Sequence, residues 1–231
     1  MSLTLKKTIR QALEANDPDS VAVLAAGDRK VLSALVRLSY DKETLVGWRA
    51  IKAAGLVARA LCKTDHEFLR DTCRKLLWSL SDESGGIGWS APELLGEIVS
   101  ADTSRFADII PLIAQVYDVE EDVFRAGIVY ALARIAETAP QSVAQFQKII
   151  ISSLVDKDPL VRVRGLLLLE ALTLSPTVIE AWSPTYREKL WSAVSALKSD
   201  QAEAWVYKDQ DFESVMVGEL AIRLNTKSIK S

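Results

Sequence analysis

The residues best suited to chemistry lie in one stretch, Asp82–Glu97, which reads DESGGIGWSAPELLGE. Gly85, Gly86 and Gly88 stand just before a helix start. A glycine turn there can aim several backbone N–H groups at an anion, helped by the positive end of the helix. Trp89, Glu93 and Glu97 follow, an aromatic ring and two carboxylates within about two helical turns. Glu93 and Glu97 are four residues apart on one face. Like charges so placed cost about 0.2–0.5 kcal/mol unless a cation sits between them. That pattern fits a surface for a positively charged group. A second reading needs no ligand: Ser90 and Glu93 form a capping box, and Trp89 staples onto Leu94. Pro92 is tolerated in the first turn, where N–H groups lack intrahelical partners. This second reading leaves Glu97 and the three glycines without a role.

Arg49, Arg125 and Arg164 each follow a large apolar residue, Trp48, Phe124 or Val163. They form either a row of guanidinium groups for carboxylates or phosphates, or a ladder joining repeats through Asp41, Asp118 and Asp156. The copy headed by Asp82 has Ser90 in that position, which breaks the ladder. Cys62, His66 and Cys73 lack a fourth ligand and a finger spacing, so no metal is expected. With a single histidine placed at a helix start, Ser-His-Asp catalysis has no support. No catalytic residue and no cofactor are expected. Trp205 and Tyr207 lie in QAEAWVYKDQD, a polar loop that either presents a contact patch or covers the last repeat. Trp191 falls on an apolar helical face with Leu190 and Val194.

These residues must be positioned by helices. Apolar residues recur at helical spacing from Leu3 to Leu224, and no strand-like alternation is long enough to compete. Expected helices include Arg29–Ser39, a segment from Asp41 to about Cys62, Glu67–Leu80, Ala91–Ser100, Phe106–Tyr117, Glu120–Thr138, Gln141–Leu154, Pro159–Leu174 and Phe212–Leu224. Aligning Trp48, Trp89, Phe124, Val163 and Met216 places Asp41, Asp82, Asp118, Asp156 and Asp209 six or seven residues earlier. Two residues later come Ala50, Ala91, Ala126, Gly165 and Gly218. A small residue in every copy lets a neighbouring helix approach closely. Successive Asp spacings of 41, 36, 38 and 53 residues bracket the roughly 40–47 of a two-helix solenoid repeat.

DKDPLVRVRGLLLLEAL at Asp156–Leu172 resembles a HEAT repeat, and Val119–Glu137 and Lys42–Leu61 are looser copies. The resemblance implies an all-α superhelix of about five antiparallel pairs, with second helices lining the concave face. One domain is expected: capping helices over 1–27, repeats over 28–224 and a frayed tail over 225–231. The chain most resembles small stand-alone bacterial HEAT-repeat proteins, which carry no assigned chemistry; the expected function is a non-enzymatic scaffold that binds a partner protein or cationic peptide on the concave face. Two other HEAT-like classes stand as alternatives. Trp89 and Glu93 are similar to the aromatic and carboxylate with which alkylpurine DNA glycosylases stabilise a charged damaged base. A bilin-lyase-like protein is the second, supported by the repeat alone.

Net charge is −3, unevenly spread. Residues 1–60 hold ten Lys/Arg against six Asp/Glu, whereas Asp82–Asp122 holds ten acids and Arg105 alone. That acidic middle repels phosphate backbones, so nucleic acid is not expected and a cationic peptide is. The longest uninterrupted apolar run is far short of a membrane span. Two cysteines and no signal-like apolar core lead to an expected cytoplasmic monomer. Trp48 and Arg125 complete the expected partner site with Gly85, Gly86, Gly88, Trp89, Glu93 and Glu97.

Overall fold

The computed structural model describes residues 3–80, 89–119 and 122–228. Gly85, Gly86 and Gly88 lie outside them. The described chain is helical almost throughout. Two helices lead, α1 (Leu3–Glu14) and α2 (Pro18–Gly27). Five pairs follow: α3 (Lys30–Leu38) with α4 (Leu45–Leu61), α5 (His66–Leu80) with α6 (Ala91–Ala101), α7 (Ile109–Val119) with α8 (Arg125–Ala136), α10 (Gln147–Leu154) with α11 (Pro159–Thr173), and α13 (Pro184–Ala196) with α14 (Val217–Ser228). Two short helices, α9 (Pro140–Ala144) and α12 (Pro176–Glu180), fill connections. The second helices α4, α6, α8, α11 and α14 lie side by side in that order and form the inner layer. One buried apolar cluster runs from Ile9 to Leu224.

Small residues let neighbouring elements approach closely, within the inner layer and behind it. A Cβ added at Gly96 would lie 2.5 Å from the Ala131 Cα on the next helix. One at Gly165 would lie 2.5 Å from the Ser153 Oγ, and one at Gly218 2.8 Å from the Asp200 carbonyl oxygen. Ala50, Ala91 and Ala126 of the same repeat column are buried as well. The column is therefore a packing feature, as expected of close-packed helix pairs.

Several boundaries differ from the expectation. Thr44, not Asp41, caps α4, its hydroxyl accepting from the Gly47 N–H at 3.1 Å. Of the expected Glu120–Thr138 helix, Glu120 and Glu121 lie outside the described residues, Asp122–Phe124 form a 3₁₀ turn, and α8 runs from Arg125 to Ala136. Gln141–Leu154 divides into α9 and α10. The largest correction lies at the C-terminal end: QAEAWVYKDQD is not a loop, and α14 does not start at Phe212. Instead β1 (Glu203–Lys208) and β2 (Asp211–Met216) pair as an antiparallel hairpin, Ala204 opposite Val215 and Lys208 opposite Asp211. Asp209 and Gln210 make its two-residue turn with φ of 48° and 77°. Such a turn matches the twist of the flanking strands. Asp209 thus heads no helix and belongs to the hairpin tip. Among the described residues, no helix is long and apolar enough to cross a membrane.

Candidate functional site: a concave groove above a buried ion network

Helix α6 reads APELLGEIVSA and has no solvent face; every residue from Ala91 to Ser100 is buried. Its two carboxylates are therefore inside the protein, Glu93 at 0% exposure and Glu97 at 3%. Burying a charge is costly unless it is paired and hydrogen-bonded. Both are. The Glu93 Oε1 accepts from Arg164 at 3.0 Å and Lys42 at 3.3 Å. The Glu97 Oε1 accepts from the Tyr130 hydroxyl at 2.5 Å, Lys52 Nζ at 2.6 Å and Arg134 Nε at 2.9 Å. The cation that the Glu93/Glu97 spacing calls for is supplied by the protein itself, four times over.

Two glycines make room for these carboxylates. A Cβ at Gly55 would lie 2.8 Å from the Glu97 Oε2, and one at Gly127 2.8 Å from the Glu93 Oε2. Burial pushes the Glu93 carboxyl upward, but the charges of Lys42 and Arg164 outweigh it and hold the group below the usual carboxylate range. Tyr130 is pushed well above its ordinary value by burial and by the negative charge of Glu97. Burial alone would lower Arg134, yet Glu97 and Glu137 raise it, so it stays charged.

Above this network lies a groove of about 860 Å³ on the concave face. Trp48, Arg49 and Lys52 of α4, Tyr130 and Arg134 of α8, and Arg164 of α11 form its floor. Trp48 meets Tyr130 edge-on at 5.3 Å and stacks on Tyr207 of the hairpin at 5.6 Å with the rings 4° from parallel. The Arg164 guanidinium sits 5.5 Å and 5.3 Å from the Trp48 and Tyr130 rings, a cation–π pair on each side. On one side the groove is closed. Arg49 donates to the carbonyl oxygens of Leu13 and Glu14, both at 3.0 Å, and to that of Gln210 at 3.4 Å. The side chains of Asn16 and Gln210 bond directly, joining the α1–α2 turn to the hairpin tip.

The expected site residues are only partly brought together. Trp48 lines the groove, with Glu93 and Glu97 beneath it. Arg125 pairs with Asp156 at 3.4 Å and forms a rung between repeats. Arg162, two residues before the column position, makes another with Asp200 at 2.8 Å. Arg49 and Arg164 are not rungs: Arg49 reaches main-chain carbonyls and Arg164 reaches Glu93. The capping box does not form. Ser90 makes no side-chain cap, because its hydroxyl bonds the Ser39 hydroxyl at 2.9 Å and Glu93 is engaged elsewhere. Trp89 is 47% exposed while Glu93 is sealed, so the two do not face a common ligand space. His66 rests on Phe106 at 5.1 Å, both cysteines are buried as free thiols, and no group of metal-binding residues occurs among the described residues. Trp205 is 68% exposed on the hairpin, and Trp191 packs partly buried against the core.

Lys42, Lys52, Tyr130 and Arg134 escaped the sequence reading. A usable signal existed: two acids in an otherwise apolar eleven-residue helix imply buried charges that need cations. Among the described residues none between 82 and 122 lines the groove; the acidic middle reaches it only through Glu93 and Glu97 beneath the floor.

No family model and no curated protein matches the chain. Among solved structures, an engineered protein matches with 14% identity and a TM-score of 0.54, covering 97% of this chain and 96% of that one. A second engineered protein matches with 14% identity and a TM-score of 0.54, over 96% of this chain and 58% of its own. A HEAT-like repeats protein from Thermococcus onnurineus NA1 aligns over 98% of both chains at 13% identity, with a TM-score of 0.40. At such identity, likeness speaks to fold alone. The helix pairs, the inner layer and the Arg–Asp rungs define the class: the chain has a HEAT-like repeat fold, an all-α solenoid.

Proposed function

We propose that this protein is an interaction module that holds a segment of a partner protein in its concave groove. The observation that carries the reading is the groove itself. It places aromatic rings and apolar walls from the first, third and fourth helix pairs and from the hairpin at one site, the usual make-up of a binding cleft. Solenoids of this kind present extended concave surfaces to partners. Glu93 and Glu97 act here as internal anchors that hold Lys52, Arg134 and Arg164 in the floor, rather than as contacts. A cationic partner is not favoured by that floor. Each carboxylate lining the groove has its own internal partner: Asp17 with Ser20, Glu137 with Arg134, Glu170 with Arg223 and Asp209 with Lys208.

The test is affinity capture with paired surface variants. Leu174 is 75% exposed on the groove rim, and Val155 is 68% exposed but does not line the groove. Leu174→Glu is expected to lose whatever protein the parent retains, while Val155→Glu keeps it. Equal retention by the two variants would remove the groove as the binding surface.

A further inference from the structure

Resting on that reading, we infer that the hairpin tip is a latch across the concave face, which opens to uncover Trp48 for the partner. Three observations converge on this device.

The first is what the tip covers. Trp48 belongs to the groove floor yet is only 5% exposed, with Tyr207 stacked on it at 5.6 Å. The Tyr130 ring edge and the Arg164 guanidinium hold Trp48 independently of the hairpin. Departure of Tyr207 therefore bares one face of a ring that stays in place, and such rings carry much of the energy of protein recognition. The second is how lightly the tip is held. Its ties are the Gln210–Asn16 side-chain bond, the stack on Trp48, and Arg49, which donates to the Gln210 carbonyl oxygen at 3.4 Å and meets the Tyr207 hydroxyl. Among the described residues no main-chain hydrogen bond crosses that junction, and Gln210 is exposed. The base of the hairpin differs. Val217 donates to the Ala202 carbonyl oxygen and Gly218 to that of Asp200, both at 3.0 Å. Arg162 pairs with Asp200 at 2.8 Å, and Ala204 and Val206 are buried. A strap fixed at its base and lightly tied at its tip opens at the tip. The third is that unlatching spares both sides. The Asp209–Gln210 turn, the Lys208–Glu213 ion pair and the Tyr207–Phe212 edge contact all lie within the hairpin. Arg49 keeps the Leu13 and Glu14 carbonyl oxygens on the other side. Only the junction is lost, as in lids whose opening exposes a site.

The experiment is fluorine NMR of the full-length protein made with 5-fluorotryptophan, its signals assigned by single replacements with Phe. The soluble nitroxide TEMPOL is the probe of exposure. Trp182, 4% exposed and away from the groove, and Trp205, 68% exposed, serve as internal references. Asn16→Gly removes the side-chain tie, while glycine accepts the φ of 56° held there. It is expected to raise the nitroxide broadening of Trp48 at least twofold over the parent, with Trp182 and Trp205 unchanged. Tyr207→Ala should raise it further and sets the open limit. If Tyr207→Ala raises the broadening and Asn16→Gly leaves it at the parent level, the ring is covered but the tip does not gate it, and the latch is overturned. Unchanged broadening in both variants overturns it as well. The groove reading fails separately. Capture that ignores Leu174→Glu removes partner and gate together, whatever Trp48 reports. Capture lost in Leu174→Glu, with Trp48 unresponsive to Asn16→Gly, removes the latch alone.

Discussion

Replacing Glu93 by Gln removes one charge and almost no volume, so it isolates the electrostatic part of the buried network. Glu93 is fully buried, and its two cations differ in their escape routes. Lys42 keeps a hydrogen bond to the Trp89 carbonyl oxygen at 2.7 Å and has a quarter of its side chain exposed. Arg164 has only 6% of its side chain exposed and pairs with no second carboxylate among the described residues. Removing one member of a buried pair costs about 3–5 kcal/mol, chiefly because the other charge is stranded. The new amide adds to this. If the amide nitrogen takes the Oε2 position, beside Gly127, it occupies a site that makes no hydrogen bond among the described residues. A buried donor left unmade costs about 1–3 kcal/mol, while a retained Arg164-to-Oε1 bond returns part of the loss. A net loss of about 3–5 kcal/mol is therefore expected. It is measured by urea unfolding followed by circular dichroism, with the slope m unchanged. Arg164→Met removes the stranded charge, so the double variant should be more stable than the two single losses predict, by about 0.5–3 kcal/mol. The exposed Glu188→Gln serves as reference and should stay within about 0.5 kcal/mol of the parent. A Glu93→Gln loss below about 1 kcal/mol, with additive single variants, would refute the paired-carboxylate account.

Three further outcomes follow from the same geometry. The Glu93 carboxyl is held below its unfolded value of about 4.3, so its contribution is complete above that pH and is lost as pH falls through the folded value. The gap in urea midpoint between the parent and Glu93→Gln should therefore shrink from pH 7 to pH 3; a constant gap would contradict the sign. Gly165→Leu, Ala126→Leu and Gly96→Ala should each destabilise by about 1–3 kcal/mol, seen as lower thermal midpoints, because a larger group meets a neighbouring helix. Tyr207→Ala removes the stack on Trp48, and amides of residues 203–216 should exchange faster while those of α4, α6 and α8 keep their protection. Unchanged exchange in the hairpin would mean that the stack does not hold it.

The all-helical class, the pairing of helices and the small-residue column were legible in the sequence, because each rests on local information. Helical spacing of Leu, Val and Ala announces the buried face, and Ala50, Ala91, Ala126, Gly165 and Gly218 repeat with the structural unit. The charge of the site was not legible. Counting acids along Asp82–Asp122 suggested a surface for cations, yet Glu97 meets Lys52 and Arg134 from sequence distances of 45 and 37 residues, and Glu93 meets Arg164 across 71. Neutralisation happens between helices, so a tally along the chain cannot see it. The hairpin was missed for a related reason. Its strands are six residues each, and the polar Asp209–Gln210 turn hides the alternation of Ala204 and Val206 with Trp205. Only the tertiary fold carries that hairpin back to Asn16 and lays Tyr207 on Trp48, closing the concave face at a point where the sequence shows two unremarkable polar stretches nearly two hundred residues apart.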